Sequence, residues 1–527
     1  MLGGGEDATV ISRGAVRVAA QATWTAYNEL YGPGGRLEAL GAPLSPDSLG
    51  VRQLAVLRPI ETALRTLAQR PTEDVTLGPA RTDFTARIAR TELVVDFGLT
   101  SRIMLTGRLP YEHTTSEVVF QVNPRGVTAN RANLGVNPAL ASQGPAAARN
   151  ARVVDSVSRA VQELTARLAG CATSPGDGVC ADRGRVEALL AEARAFAAGL
   201  ATTYGTGADT ARGALFVPLT GSTLQGAIEQ RVAALNASFK TYIPQLGTWE
   251  APFAAQVPIT TNQAQELLTS ALGIAPIDLV ERSHIGDVEL GAKLLLIDTF
   301  GGQARARAAR TGGVRLAVGG LVRFGTGQSD APDNLVDIGT GDGQTDVEVS
   351  GATDIVLNRR WWGSFIARFG VQLADDQFLR IPDVPRDPFV AADRQRRVSR
   401  NLGDYLELEA APRFVYNDYL SLSAQWRYRR KAADEYRGTF TIEGADGAPV
   451  QLDASVLGVG TEQTDQRVGA GVTFSTLRAF DRRRARLPLE VQFLHSQTVS
   501  GSGFAPKQFS SQLRLRVYLG LLGASPR

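Results

Sequence analysis

The side chains most capable of binding or chemistry are charged residues that recur at every second position of strand-like stretches. Between Leu420 and Arg429, apolar residues at even positions alternate with polar residues at odd positions, among them Arg427 and Arg429. A period of two places the two sets on opposite faces of an extended strand. One face is therefore apolar, and the other carries guanidinium groups, which bind carboxylates and other oxyanions.

The same alternation elsewhere in the chain predicts a set of charged side chains that share the polar face. Charges buried without partners are very costly, so this face must be wet, or cross-linked by arginine–carboxylate pairs, or both. A lining with more arginine than carboxylate would bias a pore toward anions, whereas a charge-paired wall that conducts no substrate is the alternative. The predicted lining is Arg17, Arg108, Arg315, Arg323, Arg368, Arg413, Arg427, Arg429, Arg467, Arg514 and Arg516, with Glu92, Asp96, Glu289, Glu407, Glu409 and Glu490 as its acidic members.

The composition limits the possible partners. The 56 basic and 53 acidic residues leave a net charge of +3, which is small for 527 residues and does not indicate a nucleic-acid partner. Lysine occupies only four positions, so nearly every cation is a guanidinium, a group suited to fixed bidentate pairs with carboxylates. A genomic bias toward GC-rich codons would give the same excess of arginine, and both explanations stay open.

The two cysteines, Cys171 and Cys180, enclose the short loop CATSPGDGVC. In an oxidising compartment they would close a small disulfide ring, whereas two lone thiols make a poor metal site. We therefore expect a disulfide and no bound metal.

The sequence contains no recognisable catalytic constellation. None of the three histidines, His113, His284 and His495, lies at metal-ligand spacing from a cysteine or another histidine. His495 and Ser496 are neighbours on a predicted strand, so they point to opposite faces and cannot share a catalytic site. A G-x-S-x-G elbow, a P-loop and a dinucleotide fingerprint are all missing. The expectation is a protein that is not an enzyme and needs no cofactor.

The Gly-rich loop GTGDGQTD offers one further candidate site. Asp337, Asp342 and Asp346 could bind Ca²⁺. Their spacing matches neither the EF-hand loop nor the nonapeptide calcium repeat, so a plain tight turn is the favoured interpretation.

The elements that position these residues are strands. The chain lacks a run of about 18 apolar residues, so it offers no transmembrane helix, whereas a membrane-spanning strand needs only about 9–11 residues. Alternating segments with short turns on one side and long polar loops on the other are typical of an all-β transmembrane barrel with lipid outside and a polar lumen inside. We predict about twelve antiparallel strands, at 13–31, 81–99, 102–111, 285–300, 314–324, 346–357, 361–374, 403–416, 420–429, 467–477, 487–499 and 509–519. Pro412 lies within one of them and predicts a β-bulge.

The segment 112–283 has a different pattern. Val153, Val157, Val161, Leu164 and Leu168 recur at three- and four-residue steps, and a matching pattern follows the cysteine ring, so two helices joined by the disulfide-closed loop are expected. Further helices are predicted near 60–69, 224–239 and 262–272. The predicted domains are a barrel of residues 1–111 and 284–527 and a mainly helical extracellular insertion of residues 112–283. The apolar stripes of the insertion should pack against one another, and a surface for a protein partner or a second copy of the chain is the alternative.

An even number of strands puts both chain ends on one side of the membrane. Short turns belong on the periplasmic side of such barrels, which places both termini in the periplasm and the barrel in the outer membrane of a Gram-negative cell. No basic segment followed by an apolar core is visible at Met1–Asp7, so a secretory signal would have been removed.

Three stretches carry a resemblance to a known family. GDVELGAKLLLID at Gly286–Asp298, FGTGQSD and GTGDGQTDVEVSG within Phe324–Gly351, and DFGLTSRIMLTGRLPY at Asp96–Tyr111 resemble bacterial outer-membrane proteins of the phenol meta-pathway transporter type, distant relatives in style of the fatty-acid-uptake barrels. The likeness covers the strand regions, roughly half the chain. It implies uptake of small, often hydrophobic or aromatic compounds. The chain departs from the family at Leu294 and Leu295, where an aromatic and a basic residue are common, in its large helical insertion, and in its GLLGASPR terminus.

Together these features predict an outer-membrane channel for passive uptake of small hydrophobic, aromatic or anionic solutes through an Arg-rich lumen. Its partners would be outer-membrane lipid and a small-molecule solute. The alternative is a membrane-anchored interaction protein whose helical insertion binds a neighbour.

Overall fold

The computed structural model of the chain describes residues 7–124, 132–140, 144–173, 175–206, 213–301, 312–444 and 448–521. The chain divides into two compact units, each built from separate stretches of sequence. The first unit consists of Met1–Pro43, Thr82–Phe120 and Leu268–Arg527, and the second of Leu44–Arg81 and Gln121–Leu267.

The first unit is a closed antiparallel barrel. Within the described residues the sheet has thirteen strands, and twelve of them close the ring, each pairing with the strands before and after it in the chain. The other strand, Val280–Ile285, pairs with Tyr111–Ser116. The last strand pairs with the first, so the sheet has no open edge. The strands are β1 (Val16–Tyr27), β2 (Ala80–Gly98), β3 (Ile103–Val122), β4 (Glu289–Asp298), β5 (Gly313–Arg323), β6 (Asp346–Val356), β7 (Trp361–Gln372), β8 (Tyr405–Val415), β9 (Leu420–Lys431), β10 (Gln463–Ser475), β11 (Leu489–Ser502) and β12 (Phe509–Tyr518). The predicted fold class is confirmed.

The period of two separates an apolar outside from a charged inside. On the outside, Ala20 pairs with Leu93 of β2 and with Leu515 of β12, and both leucines are more than 40% exposed. On the inside, Arg17 pairs in register with Asp96, and both side chains are buried. Apolar residues are exposed in this way around the whole circumference, including Val95, Leu105, Leu290, Val318, Val349, Phe365, Leu408, Leu422, Val472 and Phe493.

Residues ahead of β1 lie inside the barrel. Ala8, Val10 and Ile11 are almost fully buried in one apolar cluster with inward-facing wall residues. The wall members of this cluster come from β3 to β7 and from β12; they are Met104, Leu295, Ala317, Ala352, Ile366 and Tyr518. The ammonium group of Lys293 donates a hydrogen bond to the backbone oxygen of Asp7 at 2.9 Å. The segment Asp7–Ile11 therefore lies across the lumen.

The connections between strands are unequal on the two sides of the barrel. On the side of the chain ends, Leu99–Arg102, Leu357–Arg360 and Tyr416–Tyr419 are tight turns. On the other side the connections are long, apart from the one between β11 and β12. The stretch 436–463, which the sequence predicts to be a loop, contains instead a hairpin of Thr439–Glu443 and Pro449–Asp453. This hairpin shares an apolar core with Ile381 and Val398 of the preceding long connection, so the two connections pack together.

Pro412 does not cause a bulge. The register between β8 and β9 is the same before and after it, from Ala410 opposite Trp426 to Arg413 opposite Ser423. The prediction of a bulge there is wrong. The register shifts instead between Leu316 and Ala317 and between Gln466 and Arg467.

The second unit is mainly helical. Its helices are α1 (Arg58–Ala68), α2 (Pro145–Ala169), α3 (Arg183–Tyr204), α4 (Thr223–Tyr242) and α5 (Thr261–Leu272), the last of which ends within the first unit. Val153, Val157 and Leu164 of α2 are fully buried, and α2 packs against α3 as the predicted helical hairpin. Cys171 and Cys180 form the predicted disulfide between these helices. Within the described residues, none of the helices has the length and apolar character needed to cross a membrane.

Candidate functional site

The barrel encloses a cavity of about 1050 Å³. Most of the charged side chains that the alternation predicts to point inward border it. The bordering members of the predicted set are Arg17, Arg108, Arg323, Arg368, Arg427, Arg429, Arg467, Arg514, Arg516, Glu92, Asp96, Glu289, Glu407 and Glu409. The cavity is therefore polar and charged on nearly every side.

Three predicted members, Arg315, Arg413 and Glu490, do not border this cavity. They are buried on the inner face, close to the ends of their strands on the side of the chain termini. Arg413 donates to the hydroxyl of Ser421 at 2.7 Å, and Glu490 accepts from the hydroxyl of Tyr518 at 2.7 Å. Because Tyr518 also belongs to the apolar cluster around Asp7–Ile11, this end of the lumen is filled.

Other charged residues at the cavity were not predicted. Arg90 and Lys293 lie on strands in the same period as predicted members, and Glu348 alternates with the exposed Val347 and Val349 on β6, so the alternation could have found all three. Glu112 was missed because the sequence predicts the end of its strand at Tyr111, whereas β3 extends to Val122. The loop residues Asp7, Asp287, Asp330 and Asp342 follow no strand period, and Arg400 lies on the short strand Gln395–Asn401 of a long connection, so only the fold brings these residues to the cavity.

One row of ion pairs crosses β3 to β6. In register, Arg108 lies opposite Glu289, Glu289 opposite Arg323, and Arg323 opposite Asp346. The Glu289 carboxylate accepts from Arg108 and from Arg323, each at 3.0 Å, and Arg323 also donates to Asp346 at 2.9 Å. Opposite charges on neighbouring strands stabilise a sheet. This part of the wall is therefore cross-linked by its own charges.

A second cluster lies on β6 to β10. Arg368 is its centre, because its guanidinium lies 2.6 Å from Glu407, 3.3 Å from Glu409 and 3.9 Å from Glu348. Glu407 also accepts from Arg427 at 2.8 Å. On β10 the cluster continues with Arg467, which pairs with Asp465 at 2.8 Å.

Loop carboxyls at the cavity are perturbed by burial. Asp287 accepts from the backbone N–H of Gly327 at 2.8 Å, yet burial, together with the nearby Asp342, raises the pKa of its carboxyl above the ordinary value. Burial likewise raises the pKa of Asp330. Asp375, which lies on the short strand Asp375–Arg380 and does not border the cavity, is the opposite case, since hydrogen bonds from Arg400 hold the pKa of its carboxyl below the ordinary value despite its partial burial. The acidic loop groups therefore do not all titrate together.

The three aspartates of the Gly-rich loop take separate partners. Asp337 pairs with Arg282 at 2.6 Å, Asp346 pairs with Arg323, and Asp342 accepts from the backbone N–H of Gln344 at 2.9 Å. Among the described residues, no group of three histidines, cysteines or acids could hold a metal ion. The contacts of the three aspartates are therefore typical of a structural turn.

The histidines lie outside the cavity. His495 is exposed on the outer face, where its Nδ1 lies 3.0 Å from the hydroxyl of Ser511, while Ser496 borders the cavity on the inner face. The opposite orientation of His495 and Ser496 is thus confirmed. His113 contacts the hydroxyl of Ser283 at 2.7 Å.

A closed barrel with an apolar outer surface and a charged, hollow interior defines a transmembrane β-barrel of the outer-membrane type. No family model and no curated protein matches the chain.

Solved structures to which the chain is similar include three such barrels. The COG4313 outer membrane channel from Pseudomonas putida F1 aligns at 8% sequence identity over 98% of this chain and 99% of that one, with a TM-score of 0.42. The P. putida toluene transporter TodX aligns at 9% identity over 96% and 90%, with a TM-score of 0.25. The translocator domain of the autotransporter NalP from Neisseria meningitidis aligns at 6% identity over 95% and 88%, with a TM-score of 0.27.

Proposed function

We propose that the protein is an outer-membrane channel that lets small solutes diffuse passively through its charged lumen. The observation that carries this proposal is the cavity of about 1050 Å³ inside a closed barrel, bordered by ionised side chains. A wall built only for strength is better served by apolar packing, because burying ion pairs is often no more stabilising than burying hydrophobic residues. A wet, charged interior is what solute passage requires.

The proposed orientation places both chain ends in the periplasm. The tight turns after β2, β6 and β8 share a side with the chain ends, and the longest connections, including the helical insertion, lie on the other side. Outer-membrane barrels have short periplasmic turns and long extracellular loops. The helical insertion would then be extracellular, in an oxidising environment that suits its disulfide.

The segment Asp7–Ile11 is the element that would limit passage. It fills the lumen at the end next to the chain termini, whereas the cavity lies beyond it toward the long connections. A solute that enters from the side of the long connections would therefore meet the charged cavity first and this segment second.

The lumen chemistry favours polar and anionic solutes. The hydrophobic or aromatic compounds implied by the sequence resemblance remain a prediction, and both classes belong in the same test. Toluene, benzyl alcohol and benzoate share a ring and differ in charge and polarity, so their uptake by liposomes that contain the protein separates the two possibilities.

A matched pair of cysteine variants on β12 tests the channel directly. Gln512 borders the cavity, whereas its neighbour Leu513 is 43% exposed on the outer face. In planar bilayers, a charged thiol reagent should reduce the conductance of the Gln512→Cys variant and leave that of the Leu513→Cys variant unchanged. The native disulfide pairs both native cysteines, so they do not compete for the reagent.

An absence of conductance in the native protein and in a variant with a weakened N-terminal segment would contradict the proposal. The alternative, a barrel that anchors an interaction surface, would then be favoured. In that case the helical insertion should bind a protein neighbour or a second copy of the chain, which cross-linking in intact membranes would detect.

A further inference from the structure

We propose that a patch of arginines on one side of the lumen is a binding site for the carboxylate of a small organic acid. The inference rests on the proposed channel function and names the solute class. The arginine patch consists of Arg427 and Arg429 on β9, Arg467 on β10, and Gln508 immediately before β12. All four residues border the cavity.

The register of the sheet brings like charges together in the arginine patch. Arg427 lies directly opposite Arg467, and Arg429 follows two residues later on the same face. Like charges that face each other across neighbouring strands destabilise a sheet. On the β8 side, the register places Arg427 opposite Glu409 and Arg429 opposite Glu407, so the like-charge contact of the patch is the one between Arg427 and Arg467. The pairing of Arg427 with Arg467 therefore lowers the stability of the barrel wall, and such locally unfavourable contacts are common at binding sites.

The carboxylates near the arginine patch leave part of its hydrogen-bonding capacity unused. Arg427 shares Glu407 with Arg368, and Arg467 pairs with Asp465 at 2.8 Å. Among the described residues, no carboxylate lies within ion-pair distance of Arg429, whose guanidinium lies over the ring of Tyr405 at 4.9 Å. The Nε atoms of Arg427 and Arg429 are both buried, and neither has a hydrogen-bond acceptor within the part of the chain that the structure describes.

The unused donors favour a planar oxyanion. A guanidinium carries only donors, arranged as a fork that matches the two oxygens of a carboxylate. The side-chain oxygen of Gln508, in the amide orientation that satisfies it, accepts from the Arg467 guanidinium and so helps to hold it in place. A carboxylate placed between β9 and β10 would relieve the repulsion between neighbouring arginines and accept hydrogen bonds from the parts of their guanidinium groups that border the cavity.

The surroundings of the arginine patch accommodate an apolar body. Tyr405, Tyr436 and Leu379 also border the cavity, and the last two belong to the apolar core shared by the long connections. Burial raises the pKa of Tyr436 to about 12, so its phenol is neutral at physiological pH and does not repel an anion. A solute with one carboxylate and a ring or short aliphatic chain fits these neighbours.

The opposite side of the lumen carries acidic residues. In a ring of twelve strands, β3 and β4 lie half a turn away from β9 and β10. Glu112 on β3 and Asp287 just before β4 border the cavity there. Arg108 on β3 and Lys293 on β4 border the cavity there too, so the wall that faces the arginine patch carries charges of both signs.

Equilibrium binding tests the site without requiring conduction. Benzoate, its neutral isostere benzamide, and inorganic phosphate would each be titrated into the purified full-length protein in detergent, with calorimetry as the readout. The variants Arg429→Gln and Arg467→Gln remove one charge from the patch, and Arg360→Gln is the matched control, because Arg360 is exposed in a turn at the far end of the barrel.

We expect benzoate to bind and benzamide not to bind. Each patch variant should weaken benzoate binding by about tenfold or more, the effect of one charge-assisted hydrogen bond, and the control should match the native protein. Equal binding of benzoate by all variants would overturn the site, and tighter binding of phosphate than of benzoate would overturn the solute class. If the protein conducts in bilayers but does not bind benzoate, the site fails while the channel stands; if it binds benzoate but does not conduct, the channel fails instead.

Discussion

The N-terminal segment offers the sharpest prediction about how the lumen is controlled. Val10 and Ile11 are 6% and 3% exposed, and both pack against the inner wall. Replacing both with alanine removes two carbons from Val10 and three from Ile11. At about 0.8 kcal/mol for each buried carbon, the double variant should weaken the seating of the segment by about 4 kcal/mol.

That loss corresponds to a shift of roughly a thousandfold in the equilibrium between the seated and the displaced segment. In planar bilayers, the double variant should therefore open more often, and its mean conductance should rise. The matched control is Val257→Ala with Ile285→Ala, which removes the same carbons from side chains that are 67% and 43% exposed. Little change in conductance is expected for this control, because truncating exposed apolar side chains costs little stability.

An unchanged conductance in the double variant would refute the reasoning, provided that the barrel is folded. The folded state can be checked by the change in electrophoretic mobility on heating, which reports barrel unfolding. An equal rise in the double variant and in the control would also refute it, since the effect would then come from general loosening of the protein.

Three further predictions concern the wall, the loops and the insertion. Glu289→Ala leaves Arg108 and Arg323 without their shared carboxylate, so the free energy of unfolding in urea should fall by about 2–3 kcal/mol, whereas Glu289→Gln should lose less. Because burial raises the pKa of Asp287, its carboxyl gains a proton at a higher pH than an ordinary aspartate does as the pH falls. The anion preference of the channel, measured from reversal potentials, should therefore increase at low pH, and Asp287→Asn should reduce this dependence. Cys171→Ser with Cys180→Ser should destabilise the helical insertion by about 3 kcal/mol, seen as faster proteolysis, and leave conductance unchanged.

Much of the barrel follows from the alternation of residue types. The outward leucines and inward arginines of β9 differ strongly in hydropathy, and a shift of one residue would exchange the two faces, so the pattern predicts both the strand and its orientation. The predicted strands 403–416 and 420–429 also leave only three residues between them, which requires a tight turn. The alternation also places Arg427 and Arg429 on the inner face before any partner is known.

Features that depend on contacts between distant parts of the chain could not be predicted from the sequence. The sequence predicts a long loop near 436–463, because the alternation in Thr439–Glu443 is too short to stand out, yet the hairpin forms against Ile381 and Val398. The position of Val10 and Ile11 inside the lumen has no local signal, since two apolar residues near a chain end suit many environments. Asp287 likewise reaches the cavity only because the barrel closes around it.

The sequence also could not predict which hydrogen-bond donors of the arginine patch lack acceptors. Alternation shows which residues face inward, but the register between strands decides which charges meet. Arg108 meets Glu289, whereas Arg427 meets Arg467, and nothing in either strand alone separates the two cases.

The pairing of β12 with β1 has a consequence for biogenesis. Because β12 pairs with β1, the first strand of the barrel, the barrel cannot close until β12 has been synthesised and delivered to the membrane. A nascent or truncated chain that lacks β12 would expose two unpaired strand edges to lipid, where backbone groups find no water to bond. Proteases of the cell envelope would then degrade chains whose sheet has not closed and leave closed barrels intact.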